Sequence, residues 1–152
     1  MSRVILLDAG PLGLVTNPKR SERSQECTQW LQSHLNAGSR VIVTEIADYE
    51  IRRELLRVNK TKGLERLDAL NVFLEYLPLT TEAMRESARL WAYARQTGQP
   101  TAADNTIDAD MILIAQARTL GNLNTVIATT NVKHLPRFTT AKLWLDIYHP
   151  LN

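Results

Sequence analysis

The feature that most limits what this chain can fold into is a set of short, unbroken apolar runs, each ending in polar residues. Val4-Ile5-Leu6-Leu7 stops at Asp8, Val41-Ile42-Val43 stops at Thr44 and Glu45, and Val126-Ile127-Ala128 runs into Thr129, Thr130 and Asn131. Such runs are too short for helices and lack alternation, so they predict strands buried on both faces, as in a parallel sheet. Between them, helical patterns span 22–37, 45–59, 64–73, 82–96 and 107–120. Thr44 and Thr80 or Thr81 stand where N-caps are needed, and Gly38, Gly98 and Gly121 stand where helices end. Gly10-Pro11 predicts a turn after the first strand, and Gly63 a break between the second and third helices. The third run belongs to a strand over 125–129, and further strands are expected at 75–79 and 141–147. Strands alternating with helices define an α/β domain with a mainly parallel sheet.

The length, 152 residues with 44% hydrophobic content, suits a single domain over 1–152 with one core. The lone cysteine, Cys27, cannot form an intrachain disulfide, so a reducing, cytoplasmic location is expected. No apolar run approaches the length of a membrane span. Cys27 on a helix has no evident activating partner, and GxSxG elbows and glycine-rich phosphate loops are missing, which argues against nucleophilic acyl transfer and P-loop or dinucleotide-binding chemistry. His34, His134 and His149 are scattered and read as surface or packing residues.

Ligands of open α/β sheets sit at the carboxyl ends of the strands. Asp8 ends the first strand and Asn131 follows the fourth. Glu50 lies a turn and a half into the helix after the second strand, inside the stripe Ala47, Ile51, Leu55 and Val58, with Glu54 one turn on. A carboxylate on a core-facing stripe needs a basic partner or a cation, or else burial neutralises it. Asp110 is similarly placed, three residues after Ile107 and one turn before Ile114 on a helix with little polar surface. Asp104 and Asp108, taken singly, read as helix-start caps or ion-pair partners. Asp8, Glu50 and Asp110, from three elements at one end of a sheet, read together as oxygen ligands for a hard divalent cation, Mg2+ or Mn2+.

The net charge of +2 is too even to announce a nucleic-acid binder, but its distribution is uneven. Arg52, Arg53, Arg57, Lys60, Lys62 and Arg66 face two acids, Glu54 and Glu65, in the stretch after Glu50, while 102–110 holds three aspartates and no base. An acidic metal pocket beside a basic approach suits phosphodiester cleavage, with metal activating water and cations holding the backbone.

The segments 4–11, 44–51, 108–117 and 128–135, in this order, resemble the PIN-domain ribonucleases, and more narrowly the VapC-type toxins of bacterial toxin–antitoxin pairs. The resemblance implies a three-layer domain with a five-stranded, mainly parallel sheet flanked by helices. It further implies Mg2+- or Mn2+-dependent RNA cleavage, a homodimer, and a cognate antitoxin that covers the site. Residue by residue, Asp8, Glu50 and Asp110 match three family acids. Glu45, in the first turn and off the stripe, suits a dipole role instead. Asp108 or Asp104 is an outer or second-site ligand, Asp108 reaching the metal only if the helix begins irregularly there. Asn131 stands at a position often held by Asp, where it would orient water or phosphate, and His134 stands where relatives often carry an acid. Arg52, Arg53, Arg57, Lys60 and Lys62 are the expected RNA contacts.

Two rival readings accompany this one. A catalytically weak or inactive PIN-like module would bind RNA or protein without cutting, as Asn131 and the modest charge suggest. Alternatively, Asp108-Ala109-Asp110 is the DxD of a dehalogenase-like phosphatase; that motif should end an early strand, whereas here it opens a late helix.

Overall fold

The computed structural model describes residues 3–98, 104–121 and 124–148, the side chains of 104–107 excepted. His149 and residues 102–103 of the acidic stretch 102–110 lie outside the described residues. Five strands, β1 (Val4–Leu7), β2 (Arg40–Thr44), β3 (Glu75–Leu77), β4 (Thr125–Thr129) and β5 (Ala141–Leu143), form one parallel sheet in the order β3-β2-β1-β4-β5. Among the described residues six helices flank it: α1 (Ala9–Thr16), α2 (Glu22–Asn36), α3 (Glu45–Arg57), α4 (Thr61–Phe73), α5 (Thr81–Gln96) and α6 (Asp104–Leu120).

Strand pleating sorts the core into two layers. Val4, Leu6, Ile42 and Ile127 pack under α5 and α6 with Met111, Leu113 and Ile114. Their neighbours Ile5, Leu7, Val41, Val43 and Ala128 face the opposite way, onto Leu12, Cys27, Leu67 and Trp144. Alternate residues of a fully apolar strand thus serve opposite faces, which is why these strands carry no polar alternation. Among the described residues no helix is long and apolar enough to cross a membrane.

Several local expectations are corrected. Gly10-Pro11 does not turn the chain but lies in the first turn of α1. Asp8 caps that helix by accepting the Ala9 N–H at 2.7 Å, and Pro11 occupies a position whose N–H needs no partner. Gly63 is not a break but a buried residue within α4, where a Cβ would come 2.7 Å from Leu55 Cδ2. Its missing side chain lets α4 approach α3. β3 and β5 are three residues each, shorter than expected, and a 3-10 turn, Trp144–Asp146, follows β5. α6 begins at Asp104 rather than Ile107, so Asp108 and Asp110 lie in its second turn.

The chain leaves β1 for β2 and β3 on one side and returns to β4 on the other. The order therefore reverses beside β1, where an open sheet leaves a crevice at its carboxyl edge.

Candidate active site

Asp8 follows directly on β1, at this crevice. Its N–H donates to Ala128 O at 3.0 Å, continuing the β1–β4 pairing by one residue. Oδ1 accepts the Ala9 N–H at 2.7 Å, and Oδ2 accepts the Thr129 hydroxyl, also at 2.7 Å. Thr129 Oγ1 in turn accepts the Asn131 N–H at 3.1 Å. Both carboxylate oxygens are thereby aimed, and each keeps a lone pair. Close approach of α1 to the β4 loop depends on Gly10, where a Cβ would fall 2.3 Å from Thr130 Oγ1.

Glu50 is carried in by α3. The Thr44 side chain accepts the Ala47 N–H at 3.4 Å, and Gln116 of α6 accepts the Ile46 N–H at 3.4 Å while donating to Leu77 O at 3.0 Å. Gln116 thus bolts α3 to α6 and β3. Ala47 is buried and Ile51 and Leu55 pack on the core, as the stripe predicts, but Val58 is exposed at the C-cap. Glu54 turns outward and pairs with Arg57. Glu50 is half-buried, and none of the described residues donates a hydrogen bond to it. Burial, then the negative charge of Asp8 and that of Asp110, push its carboxyl up from 4.5 to about 6 against Arg53 and Lys133.

Asp110 reaches the same charge cluster from α6. Burial first, and Asp8 second, push it from 3.8 to about 6, with Lys133 opposing. Among the described residues its buried Oδ2 has no hydrogen-bond partner, and His134 Nε2, likewise without a hydrogen bond, stands at an ion-pair distance of 3.4 Å. Of the two readings, surface or packing, His134 takes the second: it is buried against the acid cluster, and burial, then Arg137 and Lys133, hold it below its ordinary pKa.

The structure brings together Asp8, Glu50 and Asp110, but not every predicted residue. Asp108 is exposed on a regular helical turn, about 200° from Asp110, so the irregular start that would let both reach one ion is not formed. The Asp104 side chain lies outside the described residues. Asn131 is exposed, and its Oδ1 accepts the Lys133 N–H at 3.2 Å, holding Lys133 at a left-handed φ of 44°. Its carbonyl shapes the loop, leaving the NH2 group as the donor to water or phosphate. Glu45 accepts the Leu79 N–H, a structural role in keeping with its place in the first turn.

The basic stretch is also partly used internally. Arg52 binds both oxygens of Asp48 at 3.0 Å and Asp68 at 2.8 Å, Arg57 pairs with Glu54, and Arg66 reaches Val15 O. Arg53 lies over the Tyr49 ring at 5.2 Å on the α3 surface near Glu50, and Lys60 and Lys62 are exposed. Lys60 and Lys19 edge a cavity of about 350 Å3 floored by Gly13 and Ile51.

Sequence reasoning missed Thr129, Gln116 and the placement of His134. Thr129 was within reach: with Leu7 paired to Ala128, the next residue of β4 must neighbour Asp8. The other two depend on how α6 packs, which strand patterns do not encode.

Among the described residues no three His, Cys, Asp or Glu side chains stand close enough together to hold one metal ion as they are placed. The donor set nevertheless fits an open Mg2+- or Mn2+-type site, which takes one or two carboxylates and completes its shell with water and phosphate. The unpartnered Asp110 Oδ2 and the mutual repulsion of the acids are what a cation relieves.

No protein-family model matches the sequence, and a search of curated proteins finds no match. Solved structures do match. A chain of FitAcB from Neisseria gonorrhoeae is 22% identical, covering 94% of this chain and 99% of its own, with a TM-score of 0.69. A chain of VapBC-1 from nontypeable Haemophilus influenzae gives 14% identity, 94% and 99% coverage and 0.68. A chain of VapBC2 from Rickettsia felis, bound to a DNA fragment from its promoter, gives 16%, 93% and 98% coverage and 0.65. The likeness extends over essentially the whole length on both sides.

Proposed function

From the premise that the chain has the PIN-like fold it shares with these VapBC and FitAcB chains, we propose that it is a divalent-metal-dependent endoribonuclease, the toxin of a toxin–antitoxin pair. The observation that carries this reading is the meeting of Asp8, Glu50 and Asp110 at the strand-order reversal. Glu50 and Asp110 have their pKa values raised to about 6 by burial and by neighbouring acids, and among the described residues no lysine or arginine is hydrogen-bonded to either. Uncompensated acids in a crevice mark a functional site more than a structural one.

Asp8, Glu50 and Asp110 would hold Mg2+ or Mn2+, which when bound polarises a phosphate and lowers the pKa of a water. The Ala9 N–H and Thr129 hydroxyl fix the Asp8 lone pairs, so no side-chain freedom is lost on binding. Asn131 offers its NH2 to a phosphate oxygen or water. Lys133 brings positive charge to the same edge, and Arg53, Lys60 and Lys62 extend it along the RNA backbone. A cognate antitoxin and a homodimer, both implied by the family resemblance, belong to this reading.

The test is RNA cleavage by protein freed of any co-purified partner. Cleavage should need Mg2+ or Mn2+, stop in EDTA, and fall in Asp8→Asn and Asp110→Asn. Cleavage unaffected by EDTA or by either substitution would sink the proposal. A second reading, a PIN-like module that binds without cutting, is favoured by one feature: Asp108 turns away and Asn131 carries no charge, leaving fewer acids than an ion pair of metals needs. It predicts RNA binding in EDTA and no cleavage with any cation.

A further inference from the structure

His134 Nε2 and Asp110 Oδ2 are both buried, face each other at an ion-pair distance of 3.4 Å, and make no hydrogen bond among the described residues. The His134 side chain is only 4% exposed, so water does not compensate it. An unmet buried polar atom costs about 1–3 kcal/mol, and two such atoms aimed at each other mark a place built for a third partner. The separation identifies that partner. The two atoms are not aligned for a hydrogen bond, whereas two donors about 2.1 Å from one ion stand about 3.0 Å apart at octahedral and about 3.4 Å apart at tetrahedral angles.

We propose that His134 Nε2 and Asp110 Oδ2 are donors to the same cation, so that the acid cluster of this protein is a mixed nitrogen–oxygen site. This rests on the reading of the cluster as a cation site and goes beyond it by naming a ligand and an ion class. An imidazole ligand adds little for Mg2+, which prefers oxygen, and favours first-row transition ions in the order Mn2+, Co2+, Zn2+. The site therefore selects a transition-metal dication over Mg2+. The neighbourhood supports this: His134 is fixed by the loop that Thr129 and Asn131 anchor to Asp8, so both donors are placed before the ion arrives.

The direct test is a Zn2+ titration of wild-type protein followed by nitrogen NMR of the histidine rings. His134 Nε2 should move to a metal-bound position and saturate with the ion, while His34, whose Nε2 lies 3.0 Å from Ile147 O, should not move. Calorimetry supplies the second arm: His134→Gln should lose at least tenfold in Co2+ affinity and less than about twofold in Mg2+ affinity. An unmoved His134 resonance, or equal Co2+ affinity in wild type and a folded His134→Gln, overturns the inference. Should His134→Gln fail to fold, the wild-type NMR result decides alone. Asp110→Asn separates the two claims: if it abolishes Co2+ and Mg2+ binding while His134→Gln changes neither, the cation site stands and the histidine ligand falls. If Asp110→Asn binds both ions like wild type, the cation reading itself fails.

Discussion

Asp48 and Glu50 lie two residues apart on α3, and their surroundings are opposite. Asp48 is 7% exposed and saturated: Arg52 binds both its oxygens, Asn71 donates to Oδ1 at 2.8 Å, and Asp68 shares the same arginine. Glu50, about 200° round the helix, is more accessible yet has no donor among the described residues, and two other carboxylates crowd it. Asp48 fastens α3 to α4; Glu50 is held by that fastened helix in a place where its charge is opposed. Depth of burial does not separate a structural acid from a functional one. Compensation does, since a buried charge is retained without a partner only where something else is to supply it.

The comparison can be broken first with activity. Asp8→Asn or Asp110→Asn should reduce metal-dependent RNA cleavage by about a thousandfold or more, while the melting temperature without metal stays level or rises as repulsion is removed. Asp48→Ala should do the reverse, lowering stability by about 2 kcal/mol in denaturant unfolding. That figure lies below the usual cost of splitting a buried pair because the Arg52 side chain is one-third exposed. Equal stability losses at Asp48 and Asp110 would erase the distinction.

Acidity offers a finer probe. The folded pKa values of Glu50 and Asp110, about 6, exceed their ordinary 4.5 and 3.8, so between pH 4 and 6 the folded chain holds protons that the unfolded chain has released. Stability of the metal-free protein should therefore fall as pH rises through that window, by on the order of 1–2 kcal/mol after allowing for partial exposure. Saturating Mn2+ should remove the decline, and Asp110→Asn should flatten it. The smallest effect concerns the cations. Removing Lys60 or Lys62 should lower the slope of log RNA affinity against log salt by about 0.7 for each single-strand phosphate contact, whereas Arg57→Ala, whose charge Glu54 already meets, should leave it unchanged.

Much of this was legible in the sequence because it follows from local pattern. Unbroken apolar runs at Val4–Leu7 and 126–128 mark doubly covered strands, and the buried stripe of Ala47, Ile51 and Leu55 brings Glu50 inward. Asp8 and Asp110 were singled out by position relative to such elements. What pattern could not show was pairing across the fold. Nothing local says that Arg52 is consumed by Asp48 and Asp68, that the Gly63 gap admits Leu55, or that His134 turns inward to Asp110. The first helix escaped notice because Gly10-Pro11 has the composition of a turn. It becomes a helix start only because Asp8 caps it, so the residue of greatest chemical interest also sets the local fold.

The central claim is that the uncompensated acids, and not the compensated ones, are where a cation binds. Anomalous diffraction from a crystal soaked in Mn2+ tests this directly. The account predicts a peak within about 2.2 Å of carboxylate oxygens of Asp8 and Asp110, beside Glu50. A soaked crystal with no peak there, or with its peak at Asp48 and Asp68 instead, would contradict it.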